Sequence, residues 1–278
     1  MYNHTNSMKK LITLPCTLLL LSFTINHCAA QIQADPSQRQ VKFFFPGAKL
    51  PGNYLYNFPA KFREISFKAK DNTQLSALLF IADSSKGVIL YLHGNTDALD
   101  KWGNISKTYT ALHYDLFMLD YRGYGKSEGT IKNDSQLYSD VQAAYDYLKL
   151  TYNEDKIIVL GYSIGTGPAA FLAANNRPKE LILQAPYYSL ADAVHHLRPA
   201  FDTSKIAFHF NTWQFLKKTT VPVFIFHGDQ DKMFYYGSSE KLKAFFKRGD
   251  ELITLKGAGH PFMDRNPEYL DSLKRIVN

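Results

Sequence analysis

The segment Lys156-Ile157-Ile158-Val159-Leu160-Gly161-Tyr162-Ser163-Ile164-Gly165 decides how this 278-residue chain is interpreted. It starts as a short, almost wholly apolar run, which is typical of a strand buried on both faces of a sheet. It ends in Gly-x-Ser-x-Gly, and the residues from 166 to 174 that follow favour a helix. A serine on such a strand-to-helix turn exposes its hydroxyl, and the flanking glycines leave room for a strained backbone.

The rest of the chain repeats the pattern of apolar runs separated by segments of helical period. Further strands are predicted at Gly87–His93, Asp115–Asp120, Glu180–Gln184, Val221–Phe226 and Glu251–Leu255, and helices at Ser135–Leu150 and Ser238–Phe246. Before them, Phe62–Ala69 and Gln74–Ile81 predict an antiparallel hairpin. This alternation indicates an α/β fold with a mostly parallel sheet and helices on both faces. Ligands of such sheets bind where the strands end, so functional residues are expected just after each strand.

Composition excludes several classes of protein. With 45% hydrophobic residues and 21% charged residues, the chain is neither disordered nor collagen-like. The formal charge is +7, but the lysines and arginines are scattered and form no run of five or six. Nucleic acid is therefore not an expected partner.

The N-terminus has the features of a secretory signal peptide. Lys9 and Lys10 precede an apolar stretch from residue 11 to 25, and the small pair Ala29 and Ala30 follows. We expect residues 1–30 to be removed, residues 31–61 to form an extension, and the product to be periplasmic or extracellular. The apolar stretch is short of the roughly 20 residues that span a bilayer. The alternative is a membrane tether through an uncleaved or lipidated N-terminus, with Cys28 as the candidate for lipid attachment.

A serine nucleophile needs a histidine base and a carboxylate that orients it, and in this fold they follow the serine in the order acid, then base. Five histidines follow Ser163. His260 lies on a glycine-rich loop after the last predicted strand, and it alone has the whole predicted fold before it. The other four have structural explanations; His227, for example, ends a strand.

The acid is ambiguous from the residues alone. The loop after the strand at 221–226 contains Asp229 and Asp231, two positions apart. One of them could orient the histidine while the other holds the turn through its own backbone. The loop does not decide between them.

Five motifs in this order resemble the α/β-hydrolase superfamily, and most closely its serine aminopeptidase-like and abhydrolase-domain branch of esterases, lipases and thioesterases. The motifs are His93-Gly94-Asn95, Asp120-Tyr121-Arg122-Gly123-Tyr124-Gly125-Lys126-Ser127, the serine turn, His227-Gly228-Asp229-Gln230-Asp231 and Gly259-His260. The resemblance covers Phe62 to the C-terminus. It implies that Ser163 is the nucleophile, Asp231 the acid and His260 the base. It also implies that the backbone N–H groups of Asn95 and Ile164 bind the oxyanion, with no metal or cofactor.

The segment from 187 to 215 is the least regular part of this predicted domain, residues 62–278. In the α/β-hydrolase fold such an insertion usually forms a cap over the nucleophile and lines the substrate pocket. Phe201, Phe208, Phe210 and Trp213 lie close together within it. We expect a short cap lined by these rings, the alternative being ordinary packing.

The sequence thus predicts a serine hydrolase that cleaves carboxylic esters or thioesters through an acyl-enzyme intermediate. The expected substrate is a small-molecule or lipid-like ester with an apolar acyl group. One alternative is an aminopeptidase acting on short peptides, for which Asp192 and Asp202 of the cap could bind the substrate's amine. Another is a non-catalytic binding protein on the same fold. The oligomeric state is left open.

Overall fold

Eight strands form one sheet in the part of the chain that the structure, a computed structural model, describes, namely residues 36–278. The strands are β1 (Phe62–Lys68), β2 (Gln74–Phe80), β3 (Val88–Leu92), β4 (Asp115–Asp120), β5 (Ile157–Tyr162), β6 (Glu180–Gln184), β7 (Val223–Gly228) and β8 (Glu251–Leu255). Their spatial order is β1-β2-β4-β3-β5-β6-β7-β8. The β1–β2 and β2–β4 pairs are antiparallel, and all other pairs are parallel. The predicted hairpin and the mostly parallel sheet are confirmed.

The inner strands, β2 to β7, are almost wholly buried because both faces of the sheet are covered. In β3, Val88 and Leu90 belong to one buried cluster, whereas Ile89 and Tyr91 belong to the other. This period of two places a separate hydrophobic core on each side of the sheet.

Helices pack on both faces, as expected. They are α1 (Pro36–Phe44), α2 (Leu99–Trp102), α3 (Ser106–Thr110), α4 (Asp134–Lys149), α5 (Thr166–Asn175), α6 (Leu190–Leu197), α7 (Thr212–Leu216), α8 (Gly237–Leu242) and α9 (Pro267–Val277). Buried residues of α4 and α5 join the first core, and those of α3 and α9 join the second. The long helices start at clear signals: the Asn133 side chain accepts from the Gln136 N–H before α4, and Asn266 precedes Pro267 in α9.

Three strands begin and end at the predicted residues, and the other differences lie at strand ends. β4, β6 and β8 match, whereas β5 and β7 each run two residues further than predicted, to Tyr162 and Gly228. Both extensions pair with a neighbouring strand, which overrides the turn preference of their glycines. Strand pairing therefore extends to Tyr162, directly before Ser163, and to Gly228, directly before Asp229.

The predicted signal peptide, residues 1–30, and the first residues of the predicted extension lie outside the described residues. Residues 40–278 form one compact unit, which includes the segment ahead of β1. Within the described residues, no helix combines the length and the apolar character needed to cross a membrane.

The segment 187–215 folds into α6, a short 3-10 turn at Thr203–Lys205 and α7. Phe208 and Phe210 are 1% and 0% exposed and stack on each other within the first core. Trp213 stacks on Tyr188. These rings pack the segment onto the domain.

Candidate active site

Ser163 lies at the sharp turn between β5 and α5. Its φ angle is +54°, in the left-handed region that non-glycine residues avoid. Gly165 allows this turn because a Cβ there would lie 2.1 Å from the Leu92 carbonyl oxygen of the neighbouring strand β3. The close approach holds the start of the helix against the sheet. A strained φ at a serine in this context is typical of a nucleophile.

The three predicted triad residues come together in one chain of hydrogen bonds. His260 Nε2 lies 2.9 Å from Ser163 Oγ, and His260 Nδ1 lies 2.7 Å from Asp231 Oδ2. A carboxylate oxygen accepts, so Nδ1 carries the proton, and in the neutral imidazole Nε2 is free to accept the Ser163 hydroxyl proton. Residues separated by 97 positions in sequence therefore have the arrangement that the motifs predict.

Asp231 is buried yet strongly favours its charged form. Burial alone would raise its pKa, but contacts with His227 and His260 outweigh that effect and hold the pKa of Asp231 well below its usual value. Its other oxygen, Oδ1, accepts from the N–H groups of Met233 at 2.8 Å and Phe234 at 3.0 Å. A carboxylate that stays ionised can hold the imidazole in the required tautomer and stabilise it when it becomes protonated.

The loops that carry the acid and the base are packed against each other. A Cβ at Gly228 would lie 2.2 Å from the carbonyl oxygen of Ala258, so only glycine permits this contact. Asp229 is the residue that fixes the loops, because its Oδ1 accepts from the Gly257 N–H at 2.8 Å. The Tyr162 hydroxyl donates to the His260 carbonyl at 3.0 Å and so ties the base to the serine turn. Asp229 and Asp231, which the residues of the loop alone do not separate, therefore have different partners.

Asn95 and Ile164, the predicted oxyanion donors, lie beside Ser163. Asn95 lines the same cavity as Ser163, and Ile164 is the second residue of the turn that leads into α5. The first N–H groups of a helical segment have no partner within it, which leaves the Ile164 amide available.

The loop that carries Asn95 is held from both sides. His93 is buried, which lowers its pKa to about 4 and keeps its ring neutral. Its Nδ1 lies 2.7 Å from the Gly94 carbonyl, so Nδ1–H donates to the peptide group whose N–H belongs to Asn95. The Tyr124 hydroxyl donates to the Asn95 carbonyl at 2.8 Å. The orientation of the Asn95 N–H is therefore fixed before a substrate arrives.

A cavity of about 520 Å³ opens at Ser163. Its walls are largely aromatic and apolar, and four charged residues, Asp97, Lys101, Asp264 and Arg265, lie among the residues that line it. The apolar lining consists of Tyr91, Trp102, Ile105, Tyr162, Met233, Pro261, Phe262 and Met263. A groove of about 660 Å³ beside α4 is larger, but Ser163, Asp231 and His260 are not among its lining residues. The cavity at Ser163 is thus the one that brings a binding volume to the hydrogen-bonded triad.

Two features of the site differ from the sequence-based expectation. The aromatic residues of segment 187–215 are not among the residues that line the cavity at Ser163; Phe208 and Phe210 pack in the first core instead, and Phe201 is 41% exposed. His227, interpreted only as the end of a strand, has its Nε2 3.3 Å from Asp231 Oδ2. The separation of four residues between His227 and Asp231 was the available signal, since His227 lies at the end of the strand that Asp231 follows.

The cavity's carboxylates were also missed. Asp97 and Asp264 line it, whereas Asp192 binds the Tyr235 hydroxyl and the Lys241 ammonium, and Asp202 accepts from Ser204. Asp97 lies on a loop and Asp264 in the short 3-10 turn Met263–Arg265, at positions where the sequence gives no strand or helix pattern that would orient them.

Comparison with known proteins places the chain among hydrolase-fold proteins. The sequence model of the family described as serine aminopeptidase, S33 matches residues 83–215, a range that contains Ser163 and ends before Asp231. Alpha/beta hydrolase domain-containing protein 17B of Xenopus laevis is 32% identical over 203 residues, which cover 70% of this chain and 67% of the relative. The human protein of the same description is 31% identical, covering 73% and 70%. The chain thus spans about two thirds of the length of these relatives.

Solved structures share the fold at low sequence identity. The Pyrococcus furiosus esterase Pf2001 superimposes with a TM-score of 0.65 at 18% identity, covering 83% of this chain and 98% of the esterase. Est1E of Butyrivibrio proteoclasticus, solved with ferulic acid bound, gives a TM-score of 0.64 at 20% identity, covering 77% and 97%. Together with the sequence relatives and the sheet topology, these matches show that the chain belongs to the α/β-hydrolase superfamily.

Proposed function

We propose that this protein is a serine hydrolase that cleaves carboxylic esters or thioesters through an acyl-enzyme intermediate. The observation that carries the proposal is the continuous hydrogen-bonded chain from Ser163 Oγ through His260 to Asp231, with distances of 2.9 Å and 2.7 Å. Both distances are within the range needed for proton transfer from a nucleophile to a general base.

In the proposed mechanism, Ser163 Oγ attacks the acyl carbon while its proton passes to His260 Nε2. The carbonyl oxygen becomes an oxyanion and accepts from the N–H groups of Asn95 and Ile164. The intermediate collapses as His260 returns the proton to the leaving alcohol or thiol, which leaves an acyl group on Ser163. A water molecule, activated by His260, then attacks the acyl carbon and releases the acid, so that Ser163 recovers its proton. Asp231 stabilises the imidazolium in both steps.

The cavity favours an apolar acyl group and a small-molecule or lipid-like ester. Tyr91, Trp102 and Tyr162 provide flat apolar surface beside the nucleophile. At the rim, Met233 is 50% exposed and Phe262 is 61% exposed, although both are large apolar side chains. Apolar area gained on binding contributes about 25 cal/mol per Å², so longer acyl chains should lower KM until the cavity is filled.

The decisive experiment compares Ser163→Ala with a matched serine variant. Ser163 and Ser106 are both 4% exposed, but Ser106 does not line the cavity. We expect Ser163→Ala to lose p-nitrophenyl ester turnover by at least about 10³-fold and to lose fluorophosphonate labelling, since the attacking atom is gone. Ser106→Ala should retain both. Labelling that survives in Ser163→Ala would contradict the proposed nucleophile.

An aminopeptidase is the second candidate, and one observation favours it. Asp97 and Asp264 line the cavity and could bind the free amine of a peptide. Lys101 and Arg265 line the same cavity and balance the two negative charges, so the lining carries no net negative charge. Turnover of an aminoacyl anilide that exceeds ester turnover, and that falls in Asp264→Asn, would favour the aminopeptidase. A folded protein that neither labels nor turns over any ester would favour a non-catalytic binding protein.

We also propose that the chain is exported with residues 1–30 as its signal. Support comes from the two lysines ahead of the apolar stretch and the alanines after it. N-terminal sequencing of the periplasmic or secreted protein should give a start near Gln31. Recovery of the intact N-terminus in a membrane fraction would favour the tethered alternative.

A further inference from the structure

A second histidine and a second serine lie behind the proposed catalytic acid. His227 is fully buried at the end of β7, and Ser239 is fully buried in α8. His227 Nδ1 lies 2.6 Å from Ser239 Oγ, and His227 Nε2 lies 3.3 Å from Asp231 Oδ2. The carboxylate is therefore contacted by one Ser–His pair from the cavity side, formed by Ser163 and His260, and by another from the interior.

The hydrogen bonds fix the tautomer of His227. Its Nε2 lies 2.7 Å from the Phe234 carbonyl, which can only accept, so Nε2 carries a proton. In the neutral ring, Nδ1 then accepts the Ser239 hydroxyl proton. The Nε2–H group of His227 therefore points at the turn that contains Asp231, and the hydrogen bond with Ser239 holds the ring in that orientation.

His227 also holds the turn that contains the carboxylate. The Phe234 carbonyl accepts from His227, while the Phe234 N–H donates to Asp231 Oδ1 at 3.0 Å. Oδ2 accepts a hydrogen bond from His260 Nδ1–H at 2.7 Å and also lies close to His227 Nε2. Both carboxylate oxygens are therefore held, and the residue that contacts the turn at both Phe234 and Oδ2 is His227.

We propose that His227, oriented by Ser239, is a positioning residue that keeps the Asp231 carboxylate ionised and directed at His260. This inference rests on the proposed function. Ser239 is 0% exposed, so it cannot attack a substrate, and His227 at 0% exposure cannot exchange a proton with one. Their contribution reaches the reaction through Asp231 alone.

The test uses two replacements of His227 that keep different atoms of the imidazole. His227→Gln retains an N–H donor near the position of Nε2, whereas His227→Asn retains a polar group near Nδ1 and removes the donor that faces Asp231. Turnover of a p-nitrophenyl ester is divided by the amount of fluorophosphonate-labelled Ser163, which corrects for misfolded protein. We expect His227→Asn to lower kcat by about ten- to hundredfold, with little change in KM, because it removes both the donor to the Phe234 carbonyl and the N–H group that faces the charged Asp231 Oδ2. His227→Gln should recover most of that loss.

Ser239→Ala carries the test if His227→Asn fails to fold. We expect it to lower kcat by about three- to tenfold, the effect of one neutral hydrogen bond. Ser238→Ala is the matched control, because Ser238 is equally buried on the same helix but its hydroxyl accepts from the Tyr188 N–H. It should retain the wild-type kcat.

The outcomes separate this inference from the proposed function. Wild-type kcat per labelled serine in His227→Asn, or in Ser239→Ala where His227→Asn does not fold, would overturn the positioning role. Equal losses in His227→Gln and His227→Asn would also overturn it, because the retained donor would then have no effect. Ester turnover that survives Ser163→Ala would instead overturn the proposed function and leave the contacts of His227 without a catalytic purpose.

Discussion

Two buried carboxylates lie at opposite ends of the parallel strands and have opposite ionisation tendencies. Asp231, 7% exposed, follows the carboxyl end of β7, and Glu180, 5% exposed, begins β6 at the amino end. The pKa of Asp231 lies well below its usual value. Burial raises the pKa of Glu180 to about 7, although the charge of Lys179 acts in the other direction.

Both side chains are buried, so the difference between these two sites comes from their local donors. Asp231 receives two backbone N–H groups and His260, and it faces His227. Glu180 Oε1 has no hydrogen-bond partner among the described residues. The surroundings of Asp231 thus favour a negative charge, and those of Glu180 do not.

The largest expected effect comes from neutralising Asp231. Asp231→Asn should lower kcat for ester hydrolysis by about 10⁴-fold, because the amide no longer selects the imidazole tautomer whose Nε2 accepts from Ser163. Steady-state kinetics on a p-nitrophenyl ester measures the loss. Asp229→Asn is the matched control in the same loop, and it should stay within about tenfold of wild type, since Asp229 holds only the Gly257 N–H. A larger loss at 229 than at 231 would reverse the two assignments.

A third buried carboxylate sharpens the comparison because a cation neutralises it. Asp140 is 0% exposed, and its Oδ1 accepts from Arg122 at 2.7 Å. Arg122→Gln removes the charge that compensates Asp140, so we expect the free energy of unfolding to fall by about 3–5 kcal/mol. Arg275→Gln, which breaks an exposed pair with Glu251, should cost less than about 1 kcal/mol. Chemical denaturation of both variants makes the measurement, and equal losses would show that burial of the pair does not matter.

The smallest expected effect is a change in pH dependence at Glu180. The folded pKa is about 7 and the usual value is 4.5, so the folded state binds the extra proton between those pH values. Stability attributable to this group is therefore highest below about pH 4.5 and is lost as the pH rises to 7. Relative to the parent, Glu180→Gln should gain about 1–3 kcal/mol of unfolding free energy between pH 5 and pH 8. If the unfolding free energies of the parent protein and Glu180→Gln, measured by urea denaturation, changed in parallel with pH, the raised pKa of Glu180 would be contradicted.

Much of the fold, and the proximity of Ser163, Asp231 and His260, could be predicted from the sequence, for identifiable reasons. Strands such as β4 and β6 are buried on both faces, so their apolar runs mark their ends. The serine turn is a local pattern, and its neighbours determine its conformation. His260 followed from chain order, because it alone comes after the last strand.

The choices that failed or stayed open depend on contacts between distant segments. Asp229 and Asp231 look equivalent in the loop, and only the position of Gly257 and His260 separates them. His227 looked structural because its partner Ser239 lies on a helix that begins after the loop. Phe208 and Phe210 were expected in the pocket, but an aromatic run does not indicate which surface it covers.

Gly228 has a consequence for any attempt to map this protein by saturation mutagenesis. A side chain at that position would collide with Ala258 and separate the two loops that carry Asp231 and His260. A screen that reads only activity would therefore rank a residue with no functional group alongside the nucleophile. Pairing such a screen with a measure of the amount of folded protein would distinguish residues that take part in the reaction from residues that hold the two loops together.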